Sequence, residues 1–229
     1  MLIKGIGLAE DKTENDQIFL LSVPAGEDSL AHRRHVWSRL IPQYSLTNRL
    51  DLEKVFGRKA PLHVDLGCGD GSFLCAIAQR LPNKNFFGIE RLSYRVRAAA
   101  RKAGSLNNVR LLQIDSAYAV RYLLPARSVE TFYLLFPDPW PKRRHHRRRL
   151  LTPDFLNSIH AALEQDGIIY IATDHLDYFR KIEDITGPAF GFARVEPAID
   201  LPPSRFGLIF SQKGATIHWL ALRKISPVT

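Results

Sequence analysis

Cysteine is scarce in this chain of 229 residues, which contains only Cys68 and Cys75. Two cysteines at this spacing form neither a disulfide framework nor a zinc-ligand pattern, so we predict no metal. The N-terminus carries Glu10, Asp11 and Lys12 where a signal peptide would need an apolar core, and no stretch is apolar enough to cross a membrane. These absences predict a cytoplasmic protein that does not use a membrane.

Acidic residues are also few, with 23 against 32 lysines and arginines, and the formal net charge is +9. Such an excess favours an anionic partner, with nucleic acid first and an anionic membrane surface second. Much of the charge is concentrated in one run, Lys142 to Arg149, here called the basic tract. This clustering argues against a merely basic surface and points to a phosphate-rich partner.

Apolar runs and helical patterns alternate along most of the chain. Strands are predicted at 62–66, 85–89, 109–114, 129–136 and 167–172, with helices at 72–80 and 93–103 and another beginning at Thr152-Pro153. The alternation indicates an α/β fold with a mostly parallel, twisted sheet and helices on both faces. Residues 192–195 and 216–222 are expected to add an antiparallel C-terminal strand pair. We expect residues 1–60 to be a basic extension that packs on or flanks a core domain of residues 61–229.

An acid stands at or just beyond the end of each of the first five predicted strands: Asp65, Glu90, Asp115, Asp138 and Asp174. The carboxyl ends of parallel strands meet at one edge of a sheet, where open α/β proteins keep their ligand sites. We therefore expect an acidic pocket at that edge.

A glycine-rich turn, with Gly67, Gly69 and Gly71, links the first strand to the first helix. Its spacing differs from the G-x-G-x-x-G of dinucleotide sites, and Asp70 would repel a pyrophosphate. Glu90 could bind the hydroxyls of a ribose. A cofactor with one ribose, no phosphate and positive groups fits this turn, and S-adenosylmethionine has that character.

The segment Phe136-Pro137-Asp138-Pro139-Trp140-Pro141, here called the Asp138 loop, runs directly into the basic tract. Its prolines fix φ and remove backbone donors, which favours a stiff loop over a continuing strand. Lys142, Arg147 and Arg148 are expected to contact phosphates. Trp140 could stack on a base or anchor the loop in the core, and the sequence leaves both open.

Five stretches form a set: Asp65–Gly71, Gly88–Glu90, Phe136–Arg149, Thr173-Asp174 and Ser204–Gly214. Together they resemble the bacterial tRNA (guanine-N7)-methyltransferases over roughly residues 32–223. The resemblance implies a Rossmann-like class I methyltransferase that uses S-adenosylmethionine to methylate N7 of a tRNA guanosine, typically in the variable loop.

Carried over by position, the resemblance also implies roles for single residues. Asp65, Glu90, Asp115 and Asp138 would lie on the cofactor side, with Asp138 closest to catalysis, and Lys142 and Asp174 would lie near the target nucleotide. The family's late motif has a threonine followed three positions on by a glutamate. Ser204 keeps the hydroxyl, but Gly207 stands where the glutamate would be, which puts this part of guanine recognition in question.

Guanine N7 carries an in-plane lone pair, so its methylation needs positioning more than a general base. Asp138 is the first candidate to stabilise the developing purine cation, with Asp174 second. The alternatives are a methyltransferase of another RNA or guanine position, an NAD-dependent oxidoreductase, and a catalytically impaired RNA-binding relative. The sequence is compatible with a monomer or a homodimer.

Overall fold

The computed structural model describes residues 47–197 and 200–226. Most of the expected extension of residues 1–60, including its basic segment around residues 32–39, lies outside the described residues. Among residues 47–60, Leu50 and Phe56 are buried, and the Phe56 ring meets the Phe87 ring edge-on at 6.2 Å. The boundary at residue 60 itself stays a prediction.

Seven strands form one sheet: β1 Leu62–Leu66, β2 Asn85–Glu90, β3 Val109–Gln113, β4 Val129–Leu135, β5 Leu163–Thr173, β6 Phe192–Val195 and β7 His218–Lys224. The helices are α1 Leu52–Phe56, α2 Ser72–Arg80, α3 Ser93–Ala103, α4 Ser116–Tyr118, α5 Pro153–Ala162, α6 Leu176–Asp184 and α7 Arg205–Gln212. Three short turns complete the described elements: a π-helical turn at Ala119–Leu123 and 3-10 turns at Arg143–Arg148 and Pro188–Phe190.

The strand order is β3-β2-β1-β4-β5-β7-β6. The first five strands of that order pair in parallel, whereas β7 runs antiparallel to both β5 and β6. The predicted α/β architecture and its antiparallel C-terminal pair are therefore confirmed. From β1 the chain adds β2 and β3 on one side of the sheet and then returns to add β4 and β5 on the other side. A crevice outside the carboxyl ends of the strands is expected between β1 and β4, where this order changes.

Two apolar clusters enclose the sheet from opposite faces, because successive strand residues point to alternate sides. One cluster contains α2 and α3, and the other contains α1, α5 and α6. The central strands β1 and β2 are buried over their whole length, which explains why they appear as nearly continuous apolar runs.

The fifth strand is longer than the sequence indicates. It was expected to start at Gly167, but it begins at Leu163 and crosses an irregularity in its pairing with β4. Asp166, in this region, adopts a left-handed φ of 62°. A Cβ atom at Gly167 would lie 3.1 Å from the Glu130 carbonyl oxygen, so the close approach of the two strands here favours glycine. The residues directly before Gly167 are polar, so the sequence pattern does not indicate that the strand starts earlier.

Candidate active site at the carboxyl edge of the sheet

The glycine turn between β1 and α2 is held in a conformation that few other residues adopt. Gly67, Gly69 and Gly71 have φ values of 78°, 56° and 75°. The amides of Gly67 and Cys68 both donate to the Ile89 carbonyl, at 2.8 and 3.0 Å, which ties the turn to β2. A Cβ atom at Gly71 would come within 2.8 Å of the Ala99 Cβ on α3. The turn therefore lies flat against α3.

Two acids from neighbouring strands lie beneath this turn. Asp65 is only 3% exposed, and burial, with the nearby Glu90 charge, raises the pKa of its carboxyl to about 8. Glu90 is also buried, but its carboxylate accepts hydrogen bonds from the amides of Gly69 at 3.1 Å and Leu92 at 2.9 Å. The guanidinium of Arg95 lies 3.8 Å from the same carboxylate. Burial thus favours the neutral form of Asp65 unless a cation lies beside it, whereas Glu90 is fixed in orientation by the backbone.

Asp70, which the sequence places at the tip of the turn, is neutralised by its surroundings. Its carboxylate accepts from the Ser72 hydroxyl at 2.7 Å and forms ion pairs with Lys102 at 2.9 Å and Arg205 at 3.5 Å. Partial burial raises the pKa of Asp70, but these hydrogen bonds and the Lys102 charge outweigh that effect. The net result is a pKa lowered to about 2. The Arg205 contact joins the glycine turn to the N-terminal end of α7.

A cavity of about 390 Å³ opens between the glycine turn, the start of α3 and α7. Four of the predicted site residues line it, namely Asp65, Gly67, Gly69 and Ser204. The other predicted residues do not line this cavity: Gly71, Glu90, Asp115, Asp138, Trp140, Lys142, Arg147, Arg148, Asp174 and Gly207. Glu90 is nevertheless next to the cavity, because its carboxylate accepts a hydrogen bond from the amide of Gly69, which lines the cavity.

Sequence reasoning missed an aromatic group at the mouth of the cavity. Tyr94 is 58% exposed and Phe206 is 41% exposed. The Arg95 guanidinium lies 5.8 Å from the first ring centroid and 6.0 Å from the second. Tyr94 and Arg95 follow shortly after Glu90, and Phe206 follows Ser204. Their closeness in sequence to these predicted site residues is the only feature of the sequence that indicates them.

The remaining predicted acids lie further along the same edge. Asp115 is exposed and caps α4, because its carboxylate accepts from the Tyr118 amide at 3.1 Å. Asp138 is exposed and Asp174 is half-buried. Within residues 47–197 and 200–226, no hydrogen bond or ion pair engages either of these last two carboxylates, so both are available to a ligand.

The Asp138 loop is strained at both ends. Phe136 and Trp140 have φ values of 57° and 41°, a region that residues with side chains rarely occupy. The Phe136 amide donates to the Ala172 carbonyl at 2.7 Å, which anchors the loop to β5. The half-buried Trp140 ring is flanked by His145, at 5.7 Å and perpendicular, and by the Arg148 guanidinium at 5.0 Å. Trp140 thus joins the loop to the 3-10 turn of the basic tract.

Gly207 lies in the first turn of α7, in close contact with the same loop. The Ser204 hydroxyl accepts from the Gly207 amide at 3.0 Å and caps the helix. A Cβ atom at Gly207 would meet the Phe136 ring at 3.4 Å. The Phe136 ring also packs against Phe210, with 5.4 Å between centroids. The position therefore offers no side chain, and an aromatic ring lies against it.

Known proteins resemble this chain closely enough to decide its family. A family model described as "Putative methyltransferase" matches residues 59–212. The tRNA (guanine-N(7)-)-methyltransferase of Halorhodospira halophila is 36% identical over 187 residues, which cover 76% of this chain and 79% of that protein. The Leifsonia xyli protein of the same name is 45% identical over 171 residues, which cover 72% and 75%.

The chain belongs to the tRNA (guanine-N7)-methyltransferase family. This confirms the resemblance drawn from the motifs. A further relative of that name, from Thermotoga maritima, is 44% identical over 137 residues. That match covers 59% of this chain but only 44% of the Thermotoga protein.

Solved structures agree with this family at the level of the fold. The aminoglycoside resistance methyltransferase NpmB1 has a TM-score of 0.54 at 15% identity, covering 78% of this chain and 94% of that one. The 16S rRNA methyltransferase KamB has a TM-score of 0.54 at 17% identity, covering 79% and 96%. Both support the Rossmann-like methyltransferase fold of this family member. Separately, none of the described helices is long and apolar enough to cross a membrane.

Proposed function

We propose that the protein transfers a methyl group from S-adenosylmethionine to N7 of a guanosine in tRNA, in the variable loop, to give 7-methylguanosine. One observation carries the proposal: the cavity with its buried acid, Asp65, and the available carboxylate of Asp138 share one edge of the sheet. On this proposal the cavity would hold the cofactor, and Asp138 would face the nucleotide from the same edge of the sheet.

The residues present fit S-adenosylmethionine. The cavity of about 390 Å³ suits a small cofactor, and Asp65 lies in its lining where it could bind the ammonium group. Glu90, oriented by the Gly69 and Leu92 amides, would bind the ribose hydroxyls. Asp115, just beyond β3, would lie on the cofactor side. When bound, S-adenosylmethionine supplies an electrophilic methyl group on a sulfonium.

The chain's own residues then position the guanine. Its N7 lone pair needs no deprotonation, so alignment at near-attack distance is the main requirement. Asp138, whose carboxylate has no hydrogen-bond or ion-pair partner among the described residues, would stabilise the positive charge that grows on the purine. Asp174 would accept hydrogen bonds from guanine N1–H and the exocyclic amine. Trp140 and Ser204 would border the nucleotide.

The basic tract supports tRNA as the partner. Lys142, Arg143 and Arg147 are exposed beside the Asp138 loop, where they could hold phosphates around the target nucleotide. The two cysteines of the chain are buried free thiols, which agrees with the cytoplasm as the proposed location.

Site mapping of the methyl group tests the proposal. The full chain is incubated with unmodified tRNA and methyl-labelled S-adenosylmethionine, and the product is mapped by cleavage at 7-methylguanosine. We expect label at N7 of one variable-loop guanosine. Label on another atom or at another position of the tRNA would favour a different methyltransferase. Cofactor and tRNA binding without transfer would favour the RNA-binding alternative.

A further inference from the structure

The cations of the basic tract do not all face the same way. Arg143 and Arg147 are exposed, and neither side chain contacts any other described residue through a hydrogen bond, ion pair or ring. Arg148 instead stacks on Trp140 at 5.0 Å. Arg149, at the end of the 3-10 turn, is half-buried and folds back onto the Asp138 loop. One charged run thus contains two different environments.

Arg149 connects the Asp138 loop to a rigid support. Its Nε donates to the Pro139 carbonyl at 2.7 Å, one residue beyond Asp138. Its guanidinium lies 4.7 Å from the centroid of the Tyr178 ring on α6. Tyr178 is only 1% exposed, and its hydroxyl accepts from the Leu151 amide at 3.4 Å. The loop carbonyl is therefore tied through a planar cation to a buried aromatic ring.

The backbone next to this hydrogen bond needs such support. Trp140, which follows the Pro139 carbonyl, has a φ of 41°, a conformation that is unfavourable in a residue with a side chain. Pro139 itself has no amide hydrogen to stabilise the turn. Burial raises the pKa of Tyr178, Arg149 opposes the rise and Asp138 adds to it, so both charges lie within reach of this hydroxyl. The arginine, the tyrosine and the proposed catalytic acid form one neighbourhood.

We infer that Arg149 is a positioning residue, which sets the geometry of Asp138 through the Pro139 carbonyl instead of binding an RNA phosphate. The inference rests on the proposed function, since Asp138 matters only if methyl transfer occurs at this edge. Arg149 has one face on Tyr178 and its Nε on the loop, whereas Arg147 has neither contact and faces solvent. A displacement of about 1 Å at a reacting group can cost on the order of 100-fold in rate, so a loosened Asp138 loop would be visible kinetically.

Arg149→Ala and the matched control Arg147→Ala separate positioning from phosphate binding. Single-turnover rates are measured at saturating tRNA and S-adenosylmethionine, and tRNA affinity is measured across a salt series. We expect Arg149→Ala to lower the saturated rate by about 10- to 100-fold while tRNA affinity and its salt slope stay near wild type. Arg147→Ala should instead weaken tRNA binding and reduce the salt slope by about 1, because it removes one phosphate contact.

Arg149→Lys adds a test by the conservative variant. Lysine keeps the charge and a donor for the Pro139 carbonyl but loses the planar stack on Tyr178, so the rate should return only in part. Arg147→Lys should keep the wild-type salt slope, because lysine retains the charge. Binding of S-adenosylhomocysteine by calorimetry serves as the folding control. If Arg149→Ala does not fold, the lysine pair carries the comparison alone.

Hydrogen exchange gives a readout that needs no catalysis. Amide exchange in a peptide covering residues 136–142 should accelerate in Arg149→Ala and remain at the wild-type rate in Arg147→Ala. The inference is overturned if the two alanine variants lose tRNA affinity and salt slope alike, or if Arg149→Ala leaves rate and exchange unchanged. A wild-type protein that transfers no methyl would instead overturn the proposed function, and exchange would still decide the positioning role.

Discussion

At the scale of single residues, environment separates acids that look alike in the sequence. Asp65 is buried below the glycine turn, and burial raises the pKa of its carboxyl to about 8. Asp138 is exposed on a strained loop, with no hydrogen-bond or ion-pair partner for its carboxylate in the described part of the chain. Burial favours the neutral form of the first unless a cation lies beside it, whereas the second is open to a ligand. Both follow an apolar run, so only the fold distinguishes them.

The proposed role of Asp138 predicts that Asp138→Asn slows the reaction without changing the fold. Asparagine in its place keeps the shape but removes the negative charge near the purine. Removing one preorganised electrostatic contact costs about 10²–10³ in rate by analogy with oxyanion sites, so Asp138→Asn should slow single-turnover methylation to that degree. Thermal unfolding should be near wild type because the side chain is exposed. Full activity in this variant would remove the assignment.

Asp65 predicts a dependence of stability on pH whose sign follows from its raised pKa. Between its ordinary value of 3.8 and about 8, the folded protein holds a proton that the unfolded chain has released. The stability that the protonated Asp65 carboxyl contributes is fully present below the ordinary pKa of 3.8. It is lost as the pH rises through the folded-state pKa of about 8. Asp65→Asn stays neutral at every pH. The difference in melting temperature between this variant and wild type should therefore shift in favour of the variant as the pH rises from about 5 to about 9. Parallel melting curves over that range would contradict the assignment.

Guanine recognition in this chain is predicted to depend on Asp174. Gly207 offers no carboxylate, so Asp174, with help from the Ser204 hydroxyl, is proposed to bind the guanine donors. Asp174→Ala should therefore lose discrimination between guanosine and inosine, which lacks the exocyclic amine, more than it loses cofactor affinity. Competition between the two tRNA substrates measures the first effect, and calorimetry measures the second. Unchanged discrimination would move recognition to another group.

At the scale of elements, local signals predicted the sheet but missed several helices. The apolar runs that end in acids indicated β1 to β4 closely, and Thr152-Pro153 marked the start of α5, where the Thr152 hydroxyl accepts from the Phe155 amide at 3.2 Å. Helix α7 was not predicted, because Gly207 replaces the acid that would complete a capping box after Ser204. Contacts such as Arg205 with Asp70 join distant segments, and no local pattern encodes them.

Two exposed arginines of the basic tract, Arg143 and Arg147, predict the salt dependence of tRNA binding. Replacing Arg143 and Arg147 together with alanine removes two exposed cations while leaving the Arg149 hydrogen bond in place. The slope of log affinity against log salt should fall by about 0.7–0.9 for each phosphate that is no longer neutralised. Filter binding between low and moderate salt measures the slope, with cofactor affinity as the control. An unaltered slope would make these arginines a solvated surface only.

At the scale of the molecule, the cavity joins parts of the chain that are far apart in sequence. Its walls come from the turn after β1 and the start of α3, and its other side comes from α7. A ligand bound there would hold these elements together, and binding only to the folded state adds about 2.7 kcal/mol at a hundredfold excess over Kd. S-adenosylhomocysteine should therefore raise the melting temperature in a concentration-dependent way, and NAD should not. A shift with NAD alone would favour the oxidoreductase alternative.

The contribution of α7 to the cavity has a consequence for how the protein is made. A chain emerges from the ribosome N-terminus first. The strand β1, the glycine turn and α3 therefore emerge long before Ser204, Arg205 and Phe206. The parallel core could already be complete while the pocket still lacks the helix that closes it and the Arg205 partner of Asp70. A nascent chain would therefore be a folded sheet with an open cofactor groove, and tight cofactor binding would begin only after α7 has emerged and packed.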